Sequence, residues 1–375
     1  MNGNTNKEHI RCHRIIVAGG GTGGHIFPAI AIANALRQLE PGIDILFVGA
    51  NGKMEMEKVP QAGYPIKGIN IAGFNRRSVA KNLKLPFLLV QSFFRVRNII
   101  NSFKPDAVIG VGGYSTFPVL RYAQIKGIPT FIHESNSQAG KSNMLLAKNA
   151  TRIYVASDGM EKFFPASKMR ITGNPVRKLI IEKTISREKA IHFFGLDAGR
   201  KTILAIGGSL GARSINEALS AHLDELEKNN LQLIWQTGKS TAAQYIEKGK
   251  QYKNIWVGDF ITQMEMAYAA ADIIISRSGS TIYELCVVGK PAVLVPFLLA
   301  ADDHQTANAM NLVQKNAAIM VKDSEAKENL VAITIGLAEN GSLQEELSKN
   351  IARLAITDAD AIIAKEIFDI ISKKH

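Results

Sequence analysis

The feature that most constrains the fold of this chain is a glycine-rich segment near its start, residues 19–28, with the sequence GGGTGGHIFP. An apolar run of strand length, residues 14–18, precedes it, and an amphipathic run, residues 29–39, follows it. A strand that ends in glycines and continues as a helix forms a loop with few side chains, and Pro28 is expected in the first turn of that helix. We therefore expect free backbone N–H groups that point one way and hold an anion at the helix N-terminus.

His25 lies at the end of these glycines and is the first candidate for catalysis. An imidazole titrates near neutral pH, so a histidine beside a bound anion is placed to take a proton from the group that reacts there. A histidine that only caps the helix or lies in the loop is the alternative. The glycine spacing differs from G-x-G-x-x-G, and no Asp or Glu ends the predicted strand 43–48, so a nicotinamide dinucleotide is not expected.

Strand-length apolar runs alternate with helical patterns along the chain, which predicts parallel sheets with crossover helices. The pattern lapses after residues 173–177 and then resumes, so we predict an α/β protein with two doubly wound domains that face a cleft. We assign residues 12–175 and a C-terminal helix, 357–375, to the first domain, and residues 176–356 to the second. Predicted strands lie at 14–18, 43–48, 107–110, 130–132, 152–155, 202–206, 231–236, 255–257, 272–276, 292–295 and 318–321.

Glycine turns recur at the ends of two further predicted strands. Residues 110–118 read GVGGYSTFP and end in Phe-Pro like the first segment, and residues 207–213 read GGSLGAR. Tight packing of a strand against a helix explains one such turn by itself. Three of them at strand ends instead predict phosphate-bearing ligands in the cleft.

The composition narrows the class of protein further. Two cysteines, Cys12 and Cys286, lie far apart without metal-ligand spacing, so we expect a reducing compartment and no bound metal. The polar start of the chain and the lack of a bilayer-length apolar run predict neither a leader nor a transmembrane helix. We therefore expect a cytoplasmic protein.

A net charge of +12 indicates a polyanionic partner, and the distribution of the charge indicates which one. Residues 58–105 carry many Lys and Arg but no Asp or Glu, and they include the run 83–94, which is too apolar for a nucleic-acid arm. We predict that this segment binds an anionic membrane surface rather than nucleic acid. A core helix with solvated flanks is the alternative. The predicted basic apolar patch consists of Arg76, Arg77, Lys81, Lys84, Phe87, Phe93, Phe94 and Arg95.

Seven short segments are informative as a set, because of the order in which they occur and the spacing between them. They are GGGTGGH (19–25), GVGGY (110–114), HESN (133–136), GNPVR (173–177), GGSLGAR (207–213), RSGS (277–280) and DHQTANA (303–309). Together they resemble the MurG family of bacterial glycosyltransferases. The resemblance implies a GT-B fold, two Rossmann-like domains with the donor nucleotide mostly on the second. It also implies transfer of N-acetylglucosamine (GlcNAc) from UDP-GlcNAc to undecaprenyl-pyrophosphoryl-MurNAc-pentapeptide, which converts lipid I to lipid II in peptidoglycan synthesis.

The resemblance also implies roles for individual residues. Glu284 would accept hydrogen bonds from the ribose diol, although a first-turn Glu is also favoured by the helix dipole, and the gap from Gly279 is one residue shorter than in some members. Arg213 and Arg277 would add charge or form structural ion pairs, and Asn308 would face the sugar. The acceptor pyrophosphate would lie at Gly20, Gly21, Gly112, Gly113 and Tyr114. The donor would contact Thr22, Gly23, Gly24, Asn136, Asn143, Arg177, Ser209, Asn216, Ile261, Glu284, His304 and Gln305.

The expected reaction is an inverting displacement at the anomeric carbon by the C4 hydroxyl of MurNAc. His25 would be the general base, with Glu134 or His133 as the alternative. No cofactor or divalent metal is expected, because loop amides and a helix N-terminus stabilise the leaving UDP. The expected location is the cytoplasmic face of the cell membrane, with a cell-wall synthesis complex as a further partner. A UDP-GlcNAc 2-epimerase and a non-catalytic UDP-sugar-binding subunit are the alternatives.

Overall fold

The computed structural model describes residues 12–72, 85–208, 210–239, 242–298, 300 and 303–373. These residues contain two parallel β-sheets, each with a hydrophobic core on both faces. Strands buried on both sides read as continuous apolar runs, as in the strand IIIS at Ile273–Ser276. The two cores of each sheet therefore follow directly from the apolar runs in the sequence.

The first sheet has seven parallel strands in the order β3-β2-β1-β4-β5-β6-β7. Its strands are β1 (Arg14–Ala18), β2 (Asp44–Ala50), β3 (Ile66–Ile69), β4 (Ala107–Gly110), β5 (Thr130–Glu134), β6 (Arg152–Val155) and β7 (Met169–Ile171). The helices of this part of the chain are α1 (Gly23–Leu39), α2 (Glu55–Gln61), α3 (Leu85–Phe103), α4 (Thr116–Ile125) and α5 (Lys141–Ala147).

The second sheet has six parallel strands in the order β10-β9-β8-β11-β12-β13. Its strands are β8 (Lys201–Ile206), β9 (Leu231–Gln236), β10 (Ile255–Gly258), β11 (Ile273–Ser276), β12 (Ala292–Leu294) and β13 (Ile319–Met320). The helices that follow α5 are α6 (Lys178–Glu182), α7 (Arg187–Phe193), α8 (Arg213–Ala221), α9 (Leu223–Lys228), α10 (Ala242–Gly249), α11 (Met264–Ala270), α12 (Thr281–Val288), α13 (His304–Val313), α14 (Ala326–Glu339), α15 (Gly341–Ala352) and α16 (Ala359–Ser372).

Both sheets reverse their direction of strand addition at one point, between β1 and β4 in the first and between β8 and β11 in the second. Ligands of open parallel sheets bind outside the carboxyl ends of the strands at such a point. The three glycine turns follow β1, β4 and β8, and the RSGS segment follows β11. These four strand ends define the candidate site.

The predicted α/β architecture with two doubly wound sheets is confirmed, and each predicted strand is present with ends that shift by at most two residues. The pattern misses β3 and β7, because both are short edge strands with partly exposed side chains. The expected position of Pro28 is wrong. Since α1 already begins at Gly23, Pro28 lies in its second turn.

The C-terminal helix α16 packs against α1 of the first sheet. Ile363, Ile367 and Ile371 are buried there in one hydrophobic cluster with Ile32 and Leu36. This is the contact that the apolar face of the segment predicts. The chain thus returns to its first sheet after completing the second.

Candidate functional site

The first two glycine turns pack directly on each other. The Gly20 N–H donates to the Gly112 carbonyl at 3.2 Å. A Cβ on Gly113, whose φ is +91°, would lie 2.4 Å from the Gly20 oxygen, and a Cβ on Gly112 would lie 2.7 Å from the His25 ring. Glycine is required at both positions because any side chain would push the two loops apart.

The expectation that the amides of the first glycine turn are free is wrong for its first three residues. The Gly19 N–H donates to Val48, the Gly20 N–H donates to Gly112, and the Gly21 N–H donates to the carboxylate of Glu55 at 2.8 Å. Direct binding of an acceptor pyrophosphate by the Gly20 and Gly21 amides is therefore excluded in this arrangement. Within the described residues, the N–H groups of 22–24 have no acceptor, and they lie at the start of α1.

His25 lies between the two glycine turns, and its Nδ1 is 3.1 Å from the Gly20 carbonyl oxygen. A carbonyl only accepts, so Nδ1 carries the proton and Nε2 presents its lone pair. Burial lowers the pKa of His25, and nearby His304 lowers it further. The Gly20 carbonyl and the Glu134 carboxylate raise this pKa, but they do not offset the effect of burial. The imidazole is therefore neutral at pH 7 and able to accept a proton at Nε2.

Glu134 does not have the geometry of the alternative base. It ends β5 and is 4% exposed. Its Oε1 accepts from the backbone and side-chain nitrogens of Asn136, and its Oε2 accepts from the Gly140 N–H and from Asn143. Four donors saturate the carboxylate, so Glu134 anchors the loop after β5 and is not free to take a proton.

His133 is fully buried, and its Nε2 contacts the Gly173 carbonyl at 3.3 Å. Burial lowers the pKa of His133 to about 4. A substrate hydroxyl does not reach this ring, so His133 is also excluded as the base. The expected donor contact of Asn143 is corrected too, because its side chain is buried behind Glu134.

The two sheets meet at contacts that cross the candidate site. Asn308 on α13 is fully buried, and its Oδ1 accepts from the Ser137 N–H at 2.8 Å, while its Nδ2 lies 3.5 Å from the Asn136 oxygen. A Cβ on Gly24 would lie 2.5 Å from the Ser280 hydroxyl, so the start of α1 touches the start of α12. Asn308 therefore joins the two halves and does not face a sugar, contrary to expectation.

Glu284 on α12 is the centre of a partly buried polar cluster. Arg177 binds it in a bidentate pair, with Nε to Oε1 at 3.0 Å and Nη2 to Oε2 at 2.9 Å, and the Tyr268 hydroxyl donates to Oε2 at 2.9 Å. The Arg177 guanidinium also lies 5.3 Å from the ring of Phe27 on α1. A carboxylate offers about four acceptor sites. One site on Oε1 therefore remains for a ligand hydroxyl.

The third glycine turn, after β8, packs against the loop after β9. A Cβ on Gly211, whose φ is +80°, would lie 2.1 Å from the Thr237 oxygen. Asn216 belongs to this contact, because its Nδ2 donates to the Thr237 carbonyl and its Oδ1 accepts from the Trp235 indole. Asn216 is 1% exposed, so its expected side-chain contact with the donor is corrected to a structural role. Ser209 lies outside the described residues.

The remaining donor candidates divide into structural and exposed side chains. Ile261 is buried in the core, with its N–H bound to Gln236. Gln305 accepts from the Phe297 N–H at 2.9 Å, and its amide nitrogen is directed towards Gly279. Arg277 forms an ion pair with Asp323, and the exposed Arg213 forms one with Glu217. Of the two roles expected for these arginines, the structure therefore shows the structural ion pair. Thr22 and Tyr114 are exposed at the glycine turns.

The basic apolar patch is partly described by α3. Its inner face buries Val96, Ile99 and Ile100, whereas Phe87 is 71% exposed and Phe94 is 63% exposed. Phe93 is half-buried and Arg95 is exposed, and the four other basic members, residues 76, 77, 81 and 84, lie outside the described residues. The helix therefore has a buried face near its C-terminal end and large exposed apolar side chains near its start, and membrane binding stays a prediction. Among the described helices, none is both long and apolar enough to cross a bilayer.

Glu55 is the functional candidate that the sequence analysis missed. The predicted strand 43–48 ends without an acid, but β2 continues to Ala50 and Glu55 begins α2 beyond it. The available signal was an acid shortly after the strand that pairs with β1. Tyr268 was missed as well, because nothing local marks its contact with Glu284, and Ser280 belongs to the RSGS segment but has no predicted role of its own.

The steric role of Gly113 gives a testable expectation. Gly113→Ala should lower stability by about 1–2 kcal/mol for its positive φ and by a further 1–3 kcal/mol or so for the clash with Gly20, and it should also displace His25 and slow turnover. Gly63→Ala is the matched control, because Gly63 has a φ of +81° with no atom within 4 Å of its Cβ position. Thermal unfolding and turnover measure both effects. Equal losses in the two variants would contradict the packing argument.

Two doubly wound sheets that meet at their carboxyl edges, with glycine turns at both switch points, define the GT-B class of nucleotide-sugar enzymes. The glycosyltransferase family 28 N-terminal domain matches residues 15–155, and the family 28 C-terminal domain matches residues 202–363. The chain belongs to glycosyltransferase family 28.

Individual relatives give the same assignment. A Phocaeicola vulgatus protein, named UDP-N-acetylglucosamine--N-acetylmuramyl-(pentapeptide) pyrophosphoryl-undecaprenol N-acetylglucosamine transferase, is 50% identical over 364 residues, with 96% of this chain and 97% of the relative covered. The crystal structure of Acinetobacter baumannii MurG matches with a TM-score of 0.75 and 30% identity over 97% of this chain and 100% of that one. The expected relationship to the MurG family is confirmed.

The epimerase alternative has a more distant counterpart. The structure of UDP-GlcNAc 2-epimerase from Neisseria meningitidis, bound to UDP-GlcNAc, matches with a TM-score of 0.66 and 16% identity over 95% of this chain and 100% of that one. An identity this low shows a shared fold alone.

Proposed function

We propose that this protein is a hexosyltransferase that transfers GlcNAc from UDP-GlcNAc to the C4 hydroxyl of MurNAc in undecaprenyl-pyrophosphoryl-MurNAc-pentapeptide. The transferase activity for which the 50% identical relative is named supports the substrates. The observation that carries the mechanism is the neutral His25 with a free Nε2, at the switch point of the first sheet and opposite the second. A non-catalytic sugar-binding subunit would not need this arrangement.

The reaction is a single inverting displacement. The C4 hydroxyl of MurNAc gives its proton to His25 Nε2 as its oxygen forms a bond to the anomeric carbon of GlcNAc. The bond from that carbon to the UDP oxygen breaks, and UDP leaves with the electron pair. Because the Gly20 carbonyl fixes the Nδ1–H tautomer, the base is oriented before the acceptor arrives.

The donor half of the site is proposed to lie on the second sheet. Glu284 Oε1 retains an acceptor site for a ribose hydroxyl, and the Arg177 guanidinium, which Glu284 holds, is proposed to face the diphosphate. The glycine turn before α8 offers a helix N-terminus to the leaving UDP, whose negative charge it stabilises. Gln305 and His304 are proposed to contact the sugar.

The acceptor half is proposed to lie on the first sheet. The amides of residues 22–24 at the start of α1 take the place of the Gly20 and Gly21 amides in holding the acceptor pyrophosphate, together with the exposed face of residues 112–114. We assign residues 12–175 and the C-terminal helix to an acceptor domain and residues 176–356 to a donor domain.

We further propose that α3 docks on the cytoplasmic face of the cell membrane, where the lipid tail of the acceptor resides. Phe87, Val90 and Phe94 are exposed apolar side chains, and Arg95 and Arg97 lie beside them. Apolar insertion and attraction of cations to anionic lipids act together at such a surface.

The double variant Phe87→Asp/Phe94→Asp should bind anionic vesicles at least about a hundredfold more weakly, because each buried Phe contributes about 1.5–3 kcal/mol. Co-sedimentation with vesicles of increasing anionic lipid content measures this. Phe193→Asp is the matched control, since Phe193 is also an exposed phenylalanine, 49% exposed, but lies on α7. Unchanged binding of the double variant, or binding indifferent to lipid charge, would contradict the proposal.

The transfer proposal is tested with radiolabelled UDP-GlcNAc and a short-chain lipid I analogue. We expect labelled disaccharide-lipid and UDP in equal amounts, with neither formed from the donor alone. Formation of N-acetylmannosamine from the donor without acceptor would instead favour the epimerase, and donor binding without product would favour the non-catalytic subunit.

A further inference from the structure

Glu55 is a buried carboxylate at the start of α2 that no part of the mechanism above uses. It is 1% exposed. Its Oε2 accepts from the Gly21 N–H at 2.8 Å, and its Oε1 accepts from the Ala50 N–H at 2.9 Å. A Cβ on Gly20 would lie 2.3 Å from its carboxyl carbon, so glycine at position 20 is what lets the carboxylate approach the loop. Two hydrogen bonds and close packing against Gly20 therefore fix the Glu55 side chain beside the first glycine turn.

The peptide group between Gly20 and Gly21 connects this carboxylate to His25. Its N–H, on Gly21, donates to Glu55, and its C=O, on Gly20, accepts from His25 Nδ1 at 3.1 Å. The N–H and C=O of a trans peptide point in opposite directions. Glu55 and His25 thus bind the two sides of a single planar group.

We propose that Glu55 is a positioning residue for His25, which orients and polarises the imidazole through the Gly20–Gly21 peptide. The inference rests on the proposed role of His25 as the general base. It assigns to this chain a carboxylate–peptide–histidine arrangement, in which a backbone amide takes the place of direct contact between the acid and the imidazole.

The physical basis is a pair of hydrogen bonds that reinforce each other. An ionised carboxylate binds an N–H about twice as strongly as a neutral acceptor does, and the resulting polarisation adds negative charge to the carbonyl oxygen of the same peptide. That oxygen then holds the Nδ1–H more firmly and stabilises the imidazolium that forms during proton transfer. Restricting the peptide plane also restricts the direction of the Nε2 lone pair.

Besides His133 on β5, whose pKa the His25 ring lowers, three titratable groups from different elements act on His25. Glu55 on α2 and Glu134 at the end of β5 raise its pKa, and His304 on α13 lowers it. Glu134 is saturated by four donors of its own loop, so it acts through its charge alone. Among these groups only Glu55 shares a hydrogen-bonded peptide with the imidazole. Burial keeps Glu55 away from a substrate, which excludes direct contact with the reacting atoms.

Glu55→Gln tests this inference with little change in shape. Both Glu55 oxygens accept an N–H, but a glutamine has one oxygen and one NH₂ group, so either Gly21 or Ala50 faces a donor. We expect turnover to fall about ten- to hundredfold with a smaller change in the donor KM, since a hydrogen bond to a charged group is lost. We also expect the acid limb of the pH profile of kcat/KM to move to lower pH, because a charge that raises the His25 pKa is removed.

Two further variants separate positioning from folding. Glu57→Gln is the matched control, because Glu57 lies on the same helix but is 61% exposed and pairs only with neighbours on that helix. Glu55→Asp retains the charge and both acceptor oxygens, so it should recover part of the lost turnover. If Glu55→Gln does not fold, the Asp variant alone is compared with wild type in the same measurements.

The decisive readout is the ¹⁵N NMR tautomer and pKa of His25, with its signals assigned by their loss in His25→Ala. We expect the Nδ1–H tautomer to dominate in the wild type and in Glu57→Gln. In Glu55→Gln we expect a mixture of the Nδ1–H and Nε2–H tautomers. An unchanged tautomer and pH profile, even with a lower melting temperature, would overturn the inference and leave Glu55 a structural residue. If His25→Ala retained wild-type turnover, the proposed base would be wrong, whereas the NMR comparison would still test the link between Glu55 and His25.

Discussion

Replacing His25 by Ala is expected to lower turnover for GlcNAc transfer by about 10²–10⁴, the usual contribution of a positioned general base. The donor KM should change little, because the side chain receives a proton from the acceptor and does not hold the nucleotide. In the wild type, kcat/KM should rise with pH through the His25 pKa and then level off. Since burial lowers this pKa, the rise should occur below the ordinary value for histidine. Steady-state kinetics across pH measures both effects.

His222→Ala is the matched control for this prediction. His222 also pairs with a carboxylate, Glu225, but it lies at the surface before α9. It should transfer at the wild-type rate. A His25 variant that retained turnover within a few-fold, or that lost only donor affinity, would contradict the role of His25 as the base.

Glu284→Ala is expected to raise the donor KM about ten- to hundredfold, because it removes a charged acceptor for the ribose. It should also lower the free energy of unfolding by about 1–3 kcal/mol, since the partly buried Arg177 and the buried Tyr268 hydroxyl lose their partner. Donor kinetics and chemical denaturation measure the two effects separately.

Glu217→Ala provides the comparison, because Glu217 also binds an arginine but does so on the exposed surface of α8. Exposed pairs of this kind contribute only about 0–1 kcal/mol. A Glu284 variant that was less stable but bound the donor normally would show that the carboxylate serves only Arg177 and Tyr268, and the ribose contact would then be wrong.

The fold was accessible from the sequence because its main signals are local. The apolar runs of β1, β4 and β11 predict these strands, and the glycines that follow β1, β4 and β8 mark where those strands end. The edge strands β3 and β7 were not accessible, because a short strand with one exposed side lacks a distinct apolar pattern. The C-terminal helix was recognisable from its apolar face, which α1 covers.

The site was only partly accessible because polar residues reveal their roles through distant partners. Asn308 and Ser137 are 171 positions apart, and only the fold shows that their contact joins the two halves. Asn216 and Glu134 likewise belong to buried networks, although their residue types suit ligand contacts equally well. His25 was identified because a glycine segment marks it directly, whereas the Glu55 carboxylate that fixes its loop lies beyond the neighbouring strand.

The anomeric configuration of the product tests the central claim most directly. Wild-type protein is incubated with UDP-GlcNAc and a short-chain lipid I analogue, and the new glycosidic bond is analysed by NMR. A single displacement assisted by one base inverts the α-linked donor, so we expect a β-linked disaccharide. An α-linked product, or release of free GlcNAc without a disaccharide, would contradict it.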